Sequence, residues 1–68
     1  MYTNTIIVVE TRHGYSVQVT NNTGHVVGRN TDGVLSIAER TAYAQAQDNG
    51  VNYNNCEKQF FSTVAESM

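Results

Sequence analysis

Residues 15–20 read YSVQVT. Apolar and polar types alternate without a break: Tyr15, Val17 and Val19 point one way, Ser16, Gln18 and Thr20 the other. Successive side chains of a strand lie on opposite faces, so this is a strand with one face buried and one face wet. Upstream, TNTIIVVET at residues 3–11 is rich in stiff β-branched side chains that suit a pleated surface. Downstream, HVVGR at residues 25–29 is a shorter apolar run. The links are Arg12-His13-Gly14 and Asn21-Asn22-Thr23-Gly24. Glycine and asparagine tolerate the left-handed backbone of tight loops, so three strands in an antiparallel meander are expected.

The character changes after that. Residues 34–49, VLSIAERTAYAQAQDN, are dominated by helix formers. Ser36 and Glu39 have capping-box spacing, which starts the helix near 36; Asp32 is the alternative cap. Leu35, Ala38, Ala42 and Ala46 fall on one stripe, and alanine there lets a helix lie close to a sheet. Asn49-Gly50 is a stop signal. The end, NNCEKQFFSTVAESM at residues 54–68, has two readings. Asn54 and Glu57 have cap-like spacing, and Cys56, Phe60 and Val64 share a helical face with Phe61 and Met68 beside it. That favours a short C-terminal helix; a strand over residues 59–64 competes, because short apolar runs are ambiguous. The expected fold is α+β: one small domain over residues 1–68, a three-stranded antiparallel β-meander packed on an α-helix, with a short C-terminal helix.

Sixty-eight residues give a small core that is marginal without a staple. A single cysteine excludes a disulfide within the chain, and two histidines with that cysteine give no zinc-ligand spacing. Regular packing or a homodimer remains. The net charge is −2, and four scattered cations make no basic patch for nucleic acid. The N-terminus has neither a basic start nor a long apolar run, so no signal peptide or membrane span is expected, and Cys56 is expected reduced in a cytoplasm. Without secretion the sequon Asn21-Asn22-Thr23 has no meaning.

GRNTDG at residues 28–33 has the glycine spacing of a phosphate loop. That loop needs lysine and then a hydroxyl after its second glycine, where this chain has Val34 and Leu35. A strand-to-helix connection is the simpler account, and no cofactor is expected. Cys56 with His13 or His25 lacks any sign of a nucleophile–base pair; the cysteine reads as a small packing residue and the histidines as solvated turn residues. The carboxylates read as caps and wet faces. Tyr15 reads as core or core rim. Tyr43 lies about 80° from the apolar helix stripe at roughly 100° per residue, which places it on an exposed side. Tyrosine and arginine dominate binding hot spots, so Arg40 with Tyr43, or Arg29 with Asn30, are the candidate partner-binding residues, against ordinary surface decoration.

Taken together, GHVVGR following YSVQV, then a glycine loop and an alanine-rich helix ending before Asn52-Tyr53, resembles small phage-encoded anti-CRISPR proteins that inhibit type I systems. The likeness covers roughly residues 6–53 and stops short of the C-terminal segment. It implies a non-enzymatic inhibitor in the host cytoplasm. Such a protein binds a protein subunit of the CRISPR-Cas effector complex, or its nuclease, and blocks target-DNA binding or nuclease recruitment. Among the matching residues only Arg29 is then a contact candidate. The same outline resembles antitoxin-like and nucleic-acid-binding modules of partial ribonuclease-H-like or double-stranded-RNA-binding type. An oligomerising accessory phage protein is the third reading.

Overall fold

The computed structural model describes residues 4–63. Thr3, Val64 and Met68, which entered the sequence reading, lie outside them. The elements run β1 (Thr5–Thr11), β2 (Gly14–Thr20), β3 (Val26–Asp32), α1 (Leu35–Asp48), a 3₁₀ turn (Tyr53–Asn55) and β4 (Glu57–Ser62). The fold is small α+β, with one helix on one face of a four-stranded sheet of order β3-β2-β1-β4. β1 pairs antiparallel with β2, and β2 antiparallel with β3. The third strand runs to Asp32, beyond the expected end at Arg29.

Register follows the alternation of β2. Val19 faces Ile6 and Val17 faces Val8 across β1, and all four are buried beneath the helix. Ala38, Ala42 and Ala46 carry the helix side of that core at 0% exposure. Gly28, opposite Val19 in β3, explains how close the layers come: a Cβ there would collide with the Ala42 carbonyl oxygen. Gly28 is therefore a strand residue placed for helix–sheet packing, and not part of a connecting loop. A Cβ on Gly33 meets nothing, so its glycine is not sterically required.

The helix starts at Leu35, with Val34 in the cap position and no side-chain cap. Ser36 lies within the first turn, which overturns the capping-box start. Asp32 does act locally, its Oδ1 accepting the Val34 N–H at 2.9 Å. The stop is as expected: Gly50 takes φ +81°, its N–H donates to the Gln47 carbonyl, and Val51 N–H donates to the Ala46 carbonyl. That is the Schellman arrangement, closed by Val51 packing into the core.

The C-terminal helix is corrected to a strand. β4 joins β1 in parallel, with Glu57 opposite Thr5 and Ser62 opposite Glu10. At its ends Glu57 N–H donates to the Asn4 carbonyl and Thr63 N–H to the Glu10 carbonyl, both at 2.9 Å. A helix here would have left one edge of β1 unpaired, and β1 is the apolar centre of the sheet. A short helix is also marginal without a layer to pack on. All six residues of β4 are exposed, so burial imposes no period on its sequence and neither pattern stands out. Cys56 and Phe60 thus do not share a helical face; Lys58, Phe60 and Ser62 alternate onto the helix side of the sheet and Glu57, Gln59 and Phe61 onto the bare side.

Candidate functional site

The outer face of α1 carries the most concentrated set of binding-type side chains. Ser36, Glu39, Arg40, Tyr43, Ala44 and Gln47 recur at helical spacing, opposite the buried alanine stripe. With Tyr53 from the 3₁₀ turn they line an open groove of about 450 Å³. The turn is positioned by the helix stop and by Asn52, whose Oδ1 accepts the Asn54 N–H at 3.0 Å. Asn54 is therefore not a helix cap.

Tyr43 is held more firmly than its angular position implies. It is partly buried against the core, not exposed. Its ring stacks on Tyr53 with centroids 4.6 Å apart and planes 8° from parallel. Its hydroxyl donates to Glu39 Oε2 at 2.6 Å. The same carboxylate oxygen takes Lys58 Nζ at 2.9 Å, which ties β4 to the helix. Burial, then the bond to Glu39, raises the Tyr43 pKa above its ordinary value. For Glu39, burial pushes its pKa up, but the hydrogen bonds from Tyr43 and Lys58 and the lysine charge outweigh it and leave it below its ordinary value. The shared bond thus favours the neutral phenol of Tyr43 and the ionised carboxylate of Glu39. The stack and the Glu39 bonds tie Tyr43 to two neighbouring elements, and Arg40 beside it is exposed.

The candidate residues divide. Arg40 and Tyr43 share the groove. Arg29 and Asn30 do not join it, nor do they share a surface with each other. In β3 they point to opposite sides: Arg29 lies beside Gln18 on the bare face, and Asn30 beside Val17 on the helix side. Tyr53 and Glu39 were not picked out as contacts. The spacing of Glu39 to Tyr43 is a hydrogen-bonding i, i+4 pair, and that signal was readable; the Tyr43–Tyr53 stack depends on the chain reversal at Gly50 and was not.

The other chemical candidates stay apart. Burial raises the Cys56 pKa, and its thiol donates to the Asn52 carbonyl at 3.6 Å, which is the opposite of nucleophile activation. His25 belongs to the β2–β3 turn, where its N–H donates to Asn21 Oδ1 at 2.9 Å. His13 is exposed in the β1–β2 turn. Tyr15 packs at the core rim and donates to Glu10 Oε2 at 3.1 Å, a bond that raises its pKa. Among the described residues no three His, Cys, Asp or Glu side chains cluster to hold a metal, and no helix is long and apolar enough to cross a membrane. A β3–α1–β4 crossover does exist, which the sequence reading missed, but Val34 and Leu35 still stand where a phosphate loop needs lysine and a hydroxyl.

No protein family, curated protein or solved structure matches this chain.

Proposed function

We propose that this chain is a non-enzymatic inhibitor that works by binding another protein through the outer face of α1. The observation that carries this is the Arg40–Tyr43–Tyr53 groove: an exposed guanidinium beside two stacked rings, the residue types on which binding energy concentrates. The stack and the Glu39 bonds fix the rings before binding, which lowers the ordering cost of association. The partner is the one the resemblance implies, a protein subunit of a type I CRISPR-Cas effector complex or its nuclease, met in the host cytoplasm. Direct nucleic-acid binding is disfavoured. The four cations come from a turn, β3, α1 and β4, and Lys58 is already ion-paired.

Purified effector complexes test this directly. The chain should co-elute with one of them and suppress target-DNA binding or nuclease recruitment. Arg40→Glu should weaken that binding at least about tenfold, as for a central hot spot, with an unchanged melting temperature. Failure to bind any type I complex, with unchanged phage plating on CRISPR-active hosts, would overturn it.

One observation favours a second reading, an antitoxin-like module. β4 returns through α1 to lie parallel to β1, extending the meander to a mixed sheet of the partial ribonuclease-H-like outline. Fold analogy alone does not assign function. This reading also inhibits by protein contact, but its partner is a toxin, and co-expression with a cognate toxin would restore growth. Its nucleic-acid-binding form predicts retention on DNA or RNA at low salt with a steep salt dependence.

A further inference from the structure

The two ends of the sheet are finished differently, and the difference points to a specific assembly. At the β3 end, α1 reaches over the edge. Gln45 Oε1 accepts the Arg29 N–H at 2.9 Å, and Asn49 Nδ2 donates to the Val27 carbonyl at 3.2 Å. Both backbone groups point away from β2, so a strand arriving there finds them occupied. β4 is the outermost strand at the other end. Its bonds at Glu57 and Thr63 face β1, so by strand alternation Lys58 and Phe60 turn their N–H and C=O groups to the outer edge. Phe60 is 54% exposed and Phe61 51%, one on each side of the sheet.

We infer that β4 is a homodimer edge: two copies of this chain pair antiparallel through residues 57–62 and build one continuous eight-stranded sheet. A two-fold axis normal to the sheet keeps both helices on the same side. It falls on Gln59 or on Phe60, because opposed residues must share a face. With the axis on Gln59, Lys58 meets Phe60 of the other copy, and Glu57 meets Phe61. With the axis on Phe60, the two Phe60 rings meet and Lys58 faces a serine. In neither register does a charge meet its own sign, so the strand is self-complementary. Among the described residues nothing caps Lys58 and Phe60 at the β4 edge, while the β3 edge is partly occupied, and that asymmetry gives a closed pair; two open edges would give a filament. A second copy is also the occupant the chain itself needs. Among the described residues its buried core is four branched side chains from β1 and β2, three alanines and Val51. Half-exposed phenylalanines offer about 100 Å² each, roughly 400 Å² across the pair, with flanking backbone besides. That is below the size of stable specific interfaces, so association is weak and reversible.

This inference is independent of the groove on α1, and its test separates the two. Sedimentation of the full chain from about 1 µM to about 500 µM, the range where a small strand-edge contact associates, should show a monomer–dimer equilibrium. Amide exchange should slow several-fold at Lys58 and Phe60 over the same range, and not at Arg29. Phe60→Lys should abolish both changes while the circular dichroism and the monomer's melting temperature hold, since Phe60 packs only at its margin. Arg40→Glu should leave the dimer intact. In a Cys56→Ser background, Gln59→Cys and Phe60→Cys read the register by which forms a disulfide across the axis. A monomer throughout, or a dimer that survives Phe60→Lys with Lys58 and Phe60 amides unprotected, would overturn the assignment, as would saturable pairing only with an extended peptide.

Discussion

The β3 and β4 edges share one sheet and one problem, and they solve it oppositely. An outer strand exposes a ladder of backbone donors and acceptors that templates further pairing. At β3, helix side chains occupy two of those groups, the Arg29 N–H and the Val27 carbonyl. At β4, the outer face of the ladder is left available at Lys58 and Phe60, with two aromatic rings beside it. The cause is where the helix sits. α1 packs over β3 and β2, and among the described residues it reaches β4 through the ion pair of Lys58 with Glu39. Position of the covering layer, more than strand composition, decides which edge is closed.

The largest effect on that contrast should come from Gly28→Ala. The missing side chain lets α1 come down on β3, and only at that separation do Gln45 and Asn49 reach the edge. The added methyl would strike the Ala42 carbonyl and crowd Ala46 N at 3.2 Å, both backbone atoms that cannot rotate away. The expected loss is about 3 kcal/mol by the usual cost of overpacking a close-packed core, measured by urea denaturation. Loss of protection at the Arg29 amide should accompany it. A change within experimental error would mean the helix can shift sideways and that its seat on β3 is not what closes this edge.

Uncapping the β3 edge directly is a smaller and more selective intervention. Gln45→Ala with Asn49→Ala should cost about 1 kcal/mol in total, because water replaces exposed hydrogen-bond partners well. Asn49 also bonds the Gln45 carbonyl at 2.8 Å and sits at the helix stop, so part of the loss comes from the helix end. The diagnostic readout is assembly. With both edges open, sedimentation should show species larger than a dimer at high concentration. A double variant that stays dimeric would show that strand twist, without the side-chain caps, is enough to protect β3.

Much of this arrangement was legible because particular residues answer to one strong local rule. The alternation of Tyr15, Val17 and Val19 fixed β2 and its buried face, and the stripe Ala38, Ala42, Ala46 fixed the side of α1 that meets it. Asn49-Gly50 named the helix stop. β4 was not legible, since a strand exposed on both sides carries no burial period; what holds it is backbone pairing to a strand more than forty residues earlier in the sequence. For the candidate site, the helical spacing of Arg40 and Tyr43 is what puts both on the groove. Tyr43 was placed too far into solvent because its partner Tyr53 arrives only after the chain reverses at Gly50. Arg29 and Asn30 lie on opposite faces for the reason that made β2 readable: neighbours in a strand point apart.

The smallest effect probes the ion pair between the helix and the β4 edge. The Glu39 carboxylate is held below its ordinary pKa of 4.5 in the folded chain. A group with a depressed folded pKa binds protons more readily when unfolded, so its contribution to stability is present above the unfolded value and is lost as pH falls through the folded one. Stability measured from pH 6 downwards should therefore decline from near 4.5 in the wild type. In Glu39→Gln that part of the decline should be absent. The amide still accepts from Tyr43 but loses its attraction to Lys58, whose side chain is 52% exposed, so the offset at neutral pH should be under about 1 kcal/mol for so solvent-screened a pair. Dimerisation should respond with the opposite emphasis. Releasing Lys58 from Glu39 frees its ammonium to lie over Phe60 of the other copy in the Gln59-centred register, where cation and ring attract. A tighter dimer in Glu39→Gln would select that register, and an unchanged one would select the axis on Phe60.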